Sequence, residues 1–317
     1  MKLFQTRNTR ASREEKVATL GPLPARFARS ALAVFVLLAV GATVIAVAQD
    51  TSNQVMPPKV LVIGREYTKP GKSGAPHEKT ESAFVQAMKR AKWPTHYLAV
   101  ESLSGKSRAL FLTGYDSFEA WEKDVNAQQK NATLSADLNR AWAADGELLS
   151  DTDGGVFRFN PDYSLRPAVD LPYMRYFEIA RFQIKPGRDK EWDDGMKMVL
   201  AAYEKIPGTH WACYASTYGS PDTTYIFFTP MKSASEIDQE MGQGKDFEAA
   251  MGAEGMKKLA ELSAASIQES QSNLFIFNPR MSYPSDDWVK ADPDFWSPKA
   301  SAPAAAKKPA AKPAASQ

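Results

Sequence analysis

The feature of this sequence that most constrains its fold is an internal duplication with a period of about 116 residues. Stretches of the first half return in the second half in the same order. The matching stretches are residues 63–71 with 179–187, 95–97 with 209–211, Thr113 with Thr229, and 157–161 with 275–279. Four ordered matches at nearly constant spacing indicate that one folding unit is written twice.

Each copy has the same predicted order of elements. A β-rich strand runs into Lys-Pro-Gly, a helix follows, two strands are joined by a turn, and a second helix precedes an aromatic strand that ends at proline. In the second copy the first helix has an apolar stripe at helical spacing that includes Trp192, Met196 and Val199. The pattern predicts two α+β repeats, at residues 58–161 and 173–283, joined by a linker at 162–172.

The order β-α-β-β-α-β is that of the ferredoxin-like motif, an antiparallel sheet with both helices on one face. The other face needs a partner, and two such sheets in one chain can bury these faces against each other. In this respect the sequence resembles the dimeric α/β-barrel superfamily, which includes antibiotic-biosynthesis-monooxygenase-like and NIPSNAP-like domains. The resemblance implies two tandem ferredoxin-like repeats packed as a fused dimeric α/β barrel. It does not fix an activity, because members include cofactor-free oxygenases, haem degraders, isomerases and proteins without known activity.

The first 48 residues are predicted to direct export. Residues 31–48 are eighteen residues without a charge, preceded by basic residues and ending in Ala46-Val47-Ala48 before Gln49. A small-x-small pattern at this position is typical of signal-peptide cleavage, so we expect cleavage after Ala48 and a periplasmic or secreted protein. The alternative is an uncleaved anchor in the cytoplasmic membrane, since eighteen apolar residues reach the lower limit for spanning a bilayer.

The chain ends in a segment rich in Ala, Pro and Lys. Residues 284–317 are predicted to form an extended tail whose low-complexity end is disordered, because it has little to bury.

Charge patterning argues against nucleic-acid binding. Of 39 basic and 37 acidic residues, seven basic and two acidic lie in residues 1–48, and four lysines lie in the tail from Lys299 onward. The remainder has 28 basic against 35 acidic residues, whereas a nucleic-acid binder concentrates positive charge on its folded surface. No membrane contact is predicted except through an uncleaved leader, and the sequence makes no prediction about oligomers.

Two of the three histidines, His96 and His210, occupy equivalent places where the second strand of each repeat begins. Such a residue can act as a general base or orient a ligand; alternatively, it only bonds a turn. A metal site is not predicted, because these two histidines have no carboxylates at ligand spacing. No cofactor is predicted either. The third, His77, lies in a polar insertion and is expected to be exposed.

Arg65 and Arg181 form a second equivalent pair. Strand alternation places each on an apolar face, where a guanidinium needs an anion or solvent. One hypothesis is that they bind an anionic ligand between the sheets, with Tyr67 beside Arg65. The other is an ion pair with a protein carboxylate, for which Glu66, Glu101 and Glu178 are available. Arg158 is a similar candidate for ligand binding without an equivalent in the second repeat.

Three functional hypotheses follow. The first is a non-catalytic module that binds a small anionic or aromatic molecule, or another envelope protein. The second is a cofactor-free enzyme, monooxygenase-like or isomerase-like, that uses a strand-start histidine as base. The third is a structural or assembly protein. A dry interior favours the third, whereas a roomy cavity with a few polar groups favours the first two.

Overall fold

Eight strands close into a barrel in the computed structural model, which describes residues 54–221 and 223–298. The elements of the first repeat are β1 (Val60–Thr68), α1 (Ala75–Ala91), β2 (Tyr97–Ser102), β3 (Arg108–Tyr115), α2 (Phe118–Lys130), α3 (Ala132–Asp145) and β4 (Leu149–Leu165). Those of the second are β5 (Tyr176–Ile184), α4 (Asp189–Tyr203), β6 (Trp211–Tyr218), β7 (Thr224–Met231), α5 (Ser235–Gly242), α6 (Gly244–Ser266) and β8 (Ile267–Phe277).

The two repeats have the same strand pairing. β1 lies between β3 and β4, with β2 beyond β3; β5 lies between β7 and β8, with β6 beyond β7. The sheets join where β2 pairs with β8 and β4 pairs with β6, and all of these pairs are antiparallel. Arg65 and Arg181 are each the sixth residue of the central strand of their sheet. The predicted fold class is therefore confirmed: two ferredoxin-like units close into one barrel.

The main hydrophobic core fills the barrel interior. Alternate strand residues point inward, so both repeats contribute to it. Its members include Leu61, Ile63, Val100, Leu110, Phe157, Phe177, Ile179, Phe228, Phe275 and Phe277. The opposite strand faces pack against the helices in separate clusters, one of which joins α1 and α3 through Phe84 and Leu138.

The stretch after residue 284 is not extended. Two short helices, α7 (Asp286–Ala291) and α8 (Pro293–Trp296), follow β8 and pack onto the barrel. Trp296 is 3% exposed and belongs to the same core as Phe177 and Phe277. The prediction of an extended tail was wrong for this stretch, because its tryptophans and Phe295 provide the apolar surface that makes docking favourable.

The predicted export segment, residues 1–48, and the low-complexity end, residues 299–317, lie outside the described residues. Of the helices that the structure describes, none combines the length and apolar character needed to cross a bilayer.

Candidate functional site

A cavity of about 320 Å³ lies at one end of the barrel, where β1 and β5 begin and β3 and β7 end. Its wall is built in matched pairs from the two repeats. The pairs are His96 with His210, Tyr97 with Trp211, Leu98 with Ala212, Leu61 with Phe177, Leu112 with Phe228, and Gly114 with Pro230. Segments before β1, between the repeats and around α7 complete the rim. The wall is mostly apolar, and the two histidines are its main polar side chains.

The structure brings His96 and His210 to this one cavity, but it holds them differently. Nε2 of His210 lies 2.9 Å from the carbonyl oxygen of Pro230, and its Nδ1 lies 3.1 Å from that of Gly208. Both neighbours are carbonyl oxygens, which only accept, so both ring nitrogens of His210 are turned toward the backbone and are poorly placed to take a proton from a ligand. Nδ1 of His96, in contrast, is buried and has no hydrogen-bond partner among the described residues.

Arg65 and Arg181 share the inward face of β1 and β5 with the core residues, but lie toward the other end of the barrel. Arg65 pairs with Asp153 on β4, and Arg181 pairs with Glu269 on β8, where its Nη2 lies 2.9 Å from Oε1. The partners are cross-strand neighbours rather than Glu66, Glu101 or Glu178. Ligand binding by the arginines stays a prediction. The need of a buried guanidinium for an anion no longer supports it, because protein carboxylates already compensate both charges.

Tyr67 lies near Arg65, at the same end of the barrel. Arg108 on β3 is the cross-strand neighbour of Tyr67 and packs over the ring of Phe275, 5.0 Å from its centroid. Burial lowers the pKa of the Arg108 guanidinium, and the positive charge of Arg65 acts in the same direction. Arg158 is exposed on the outward face of β4, away from both the cavity and this group.

His77 is not exposed, contrary to the prediction. It is 1% exposed and lies between α1, β1 and α3 beside three buried carboxylates, those of Glu66, Glu81 and Asp145. Nε2 of His77 lies 3.0 Å from Glu66 Oε2, 3.5 Å from Asp145 Oδ1 and 3.9 Å from Glu81 Oε1. We call these four residues the carboxylate–histidine cluster. The signal in the sequence was the pair His77 and Glu81, four apart on one helix face.

Burial and mutual contact strongly shift the pKa values of the groups in the cluster. Burial raises the pKa of Glu81 to about 9, and the charges of Glu66 and Asp145 act in the same direction. Burial also raises the pKa of Glu66, against the hydrogen bond from His77. For His77, burial lowers the pKa, but its contacts with Asp145 and Glu66 outweigh burial and raise it to about 10. The cluster thus holds protons at neutral pH because it lacks enough positive charge.

Comparison of the sequence with protein-family models and with curated proteins gives no match. Several solved structures have a similar fold. A candidate monooxygenase from Fusobacterium nucleatum is 11% identical, with a TM-score of 0.45 over 70% of this chain and 94% of its own. An anthrone oxidase-like protein is 16% identical, with a TM-score of 0.42 over 69% and 91%. A mutant chlorite dismutase from Candidatus Nitrospira defluvii is 9% identical, with a TM-score of 0.41 over 76% and 99%.

At such identities and TM-scores these likenesses carry no argument, and the fold assignment rests on the strand order of the barrel itself.

Proposed function

We propose that this protein binds a small, largely apolar molecule, with aromatic character, in the cavity at the end of the barrel. The observation that carries the proposal is the cavity itself, whose wall of paired residues from both repeats encloses about 320 Å³. That volume lies at the lower end of the roughly 300–1,000 Å³ range of small-molecule sites. A structural protein has no need of such a space, because filling it with side chains would add stability.

The chemistry of the wall supports an aromatic ligand. Phe177 and Phe228 meet edge to face with ring centroids 5.5 Å apart, and Tyr214 meets Phe228 at 5.7 Å. The hydroxyl of Tyr214 donates to the carbonyl oxygen of Pro58, so the apolar body of this ring faces the cavity. Aromatic walls favour flat apolar guests through edge-to-face and offset contacts.

We expect Ala212→Phe to abolish most of the binding of naphthalene and 1-naphthol, two probes small enough for the cavity. Ala212 is a buried residue of the cavity wall, so the new ring occupies the space of the ligand. The expected loss of affinity is about 10-fold or more, since even one methylene group that does not fit an apolar pocket has an effect of this size. Equilibrium dialysis of both probes measures it.

Ala143→Phe, on an exposed turn of α3, is the matched control and should bind as the parent does. Equal affinities in both variants would place the probes elsewhere.

One observation, at His96, favours the enzyme hypothesis. His96 Nδ1 is buried without a hydrogen-bond partner among the described residues, so it can accept a proton or a hydrogen bond from a ligand. This separates it from His210, whose ring nitrogens both face carbonyl oxygens.

We expect His96→Phe to weaken binding of 1-naphthol by roughly 2- to 10-fold, the range of one net hydrogen bond, and to leave naphthalene unaffected. The comparison is internal, because the two probes differ by one hydroxyl. His210→Phe should change both affinities alike, since the ring of His210 makes no hydrogen bond with the hydroxyl of the ligand. Should His96→Phe weaken both probes equally, His96 would be part of the wall and not a polar contact, and the enzyme hypothesis would lose its residue.

A further inference from the structure

The carboxylate–histidine cluster lies between the sheet and the helices of the first repeat, apart from the barrel cavity. β1 contributes Glu66, α1 contributes His77 and Glu81, and the last residue of α3 is Asp145. Three carboxylates surround a single imidazole, and all four side chains are at least nine-tenths buried. Buried carboxylates in excess of their cations are costly, because desolvation and mutual repulsion both oppose them.

The second repeat shows that the fold does not require this cluster. The position of Glu66, seventh in β1, is held by Phe182, seventh in β5. Trp192 and Met196, four apart on α4 as His77 and Glu81 are on α1, pack in one hydrophobic cluster with Phe182, and the rings of Phe182 and Trp192 are 5.4 Å apart. An apolar filling therefore satisfies the same helix–sheet interface. The charged filling of the first repeat is therefore not required by the helix–sheet interface itself.

Two atoms of the cluster point to a missing ligand. Within the described part of the chain, Oε1 of Glu81 and Oδ2 of Asp145 are buried and have no hydrogen-bond partner. Glu81 is 3% exposed and Asp145 is fully buried, so water does not reach them from the surface. Buried carboxylate oxygens are rarely left without a partner. The hydroxyl of Thr80 donates to the other oxygen of Asp145, at 2.5 Å, and so orients that carboxylate.

The spacing of the four groups fits one coordination sphere. One ligand atom from each residue can be chosen so that all four lie within 4.8 Å of one another. With metal–ligand bonds of roughly 2.0–2.2 Å, neighbouring ligand atoms are separated by about 3.0–3.6 Å and opposite ones by about 4.2 Å. The distances from His77 Nε2 to the three carboxylates, 3.0, 3.5 and 3.9 Å, fall in this range.

We infer that Glu66, His77, Glu81 and Asp145 bind one divalent transition-metal ion that ties β1, α1 and α3 together. One imidazole nitrogen with three carboxylate oxygens suits Zn²⁺, Mn²⁺ or Fe²⁺ better than Mg²⁺ or Ca²⁺, which prefer oxygen ligands alone. The ion supplies the positive charge that the cluster lacks, and four protein ligands in a buried place are typical of a structural site. A small cavity of about 190 Å³, lined by His77, Ser73 and Glu101, lies beside the cluster.

The test is metal binding by the purified protein after treatment with EDTA. Isothermal titration with Zn²⁺ and Mn²⁺, each checked by elemental analysis after dialysis, should give one ion per chain. Glu81→Gln and Asp145→Asn keep the side-chain shape but remove a charged ligand, and should weaken binding by at least about 100-fold, more than is typical for residues outside the coordination sphere. Glu240→Gln, a half-buried carboxylate of α5 in the second repeat, is the matched control and should bind as the parent does.

A second measurement needs no variant. The chain has only three histidines, so their ring resonances can be followed separately by NMR. Zn²⁺, which is diamagnetic, should shift the resonances of one ring, that of His77, with those of His96 and His210 unchanged. The proposal is overturned if neither ion binds saturably, if Glu81→Gln binds as tightly as the parent, or if the ions act on His96 or His210 instead.

Discussion

Replacing Trp296 by alanine is expected to lower the free energy of unfolding by about 3–5 kcal/mol, the usual cost of deleting a buried aromatic side chain. Trp296 is the last residue of α8, and its ring lies in the barrel core with Phe277 and against Trp288 and Phe295. Its indole nitrogen donates to the carbonyl oxygen of Pro172, 2.8 Å away. The substitution removes this packing and one of the two hydrogen bonds to that carbonyl, which also accepts from Nη1 of Arg175, 3.2 Å away. Denaturation in urea, followed by circular dichroism, measures the change.

Trp142→Ala is the matched control. Trp142 lies on α3, is 50% exposed and makes an edge contact with Phe84. Its removal should cost about 1 kcal/mol, since half of its surface is already in water. Similar losses in the two variants would mean that the terminal helices do not pack against the barrel core and that Trp296 is not part of it.

The contacts of the terminal helices α7 and α8 explain why losing their packing should destabilise the whole barrel. Arg175 pairs with Asp292 and lies over the ring of Phe295, 3.8 Å from its centroid. The hydroxyl of Tyr173 donates to the carbonyl oxygen of Ala291. These contacts tie α7 and α8 to the stretch between β4 and β5, which itself forms part of the cavity rim.

The fold could be predicted from the sequence because its signals are local and repeated. Strand alternation and Pro-Gly turns recur in one order in both repeats, and the apolar stripe of α4 marks its helix. The unpaired sheet faces then leave few ways to bury their apolar side chains. The terminal helices were missed because α7 and α8 have only six and four residues. Such short helices depend on tertiary contacts and show no periodic pattern.

The candidate sites were harder to predict, since they depend on which strand faces which helix. Arg65 was assigned to the correct face, but its partner, Asp153, is distant in sequence and adjacent only through the register of β1 and β4. His77 was expected to be exposed because it follows Lys72, Ser73 and Gly74. The helix that begins at Ala75 instead turns it toward Glu66, and the spacing of His77 and Glu81 does not show that β1 lies opposite.

An effect as large as that of Trp296→Ala is expected at His77 in the metal-free protein. His77→Gln should lower the free energy of unfolding by about 3–5 kcal/mol, because it removes the one cationic group and leaves the acidic side chains of Glu66, Glu81 and Asp145 buried around a neutral one. The loss has to be measured in EDTA, so that no ion replaces the missing charge. Urea denaturation near neutral pH suits it, where the raised pKa of His77, about 10, keeps the imidazole protonated in the folded protein.

A thermodynamic cycle separates this electrostatic cost from the loss of side-chain packing. In the background Glu66→Gln, Glu81→Gln and Asp145→Asn the carboxylates are replaced by neutral amides of the same shape. There, His77→Gln should cost less than about 1.5 kcal/mol, the range of an ordinary hydrogen bond. The difference between the two backgrounds is the coupling between His77 and the carboxylates. If His77→Gln costs the same in both, the imidazole acts by packing alone, as Trp192 does in the second repeat, and the cluster is not held together by charge.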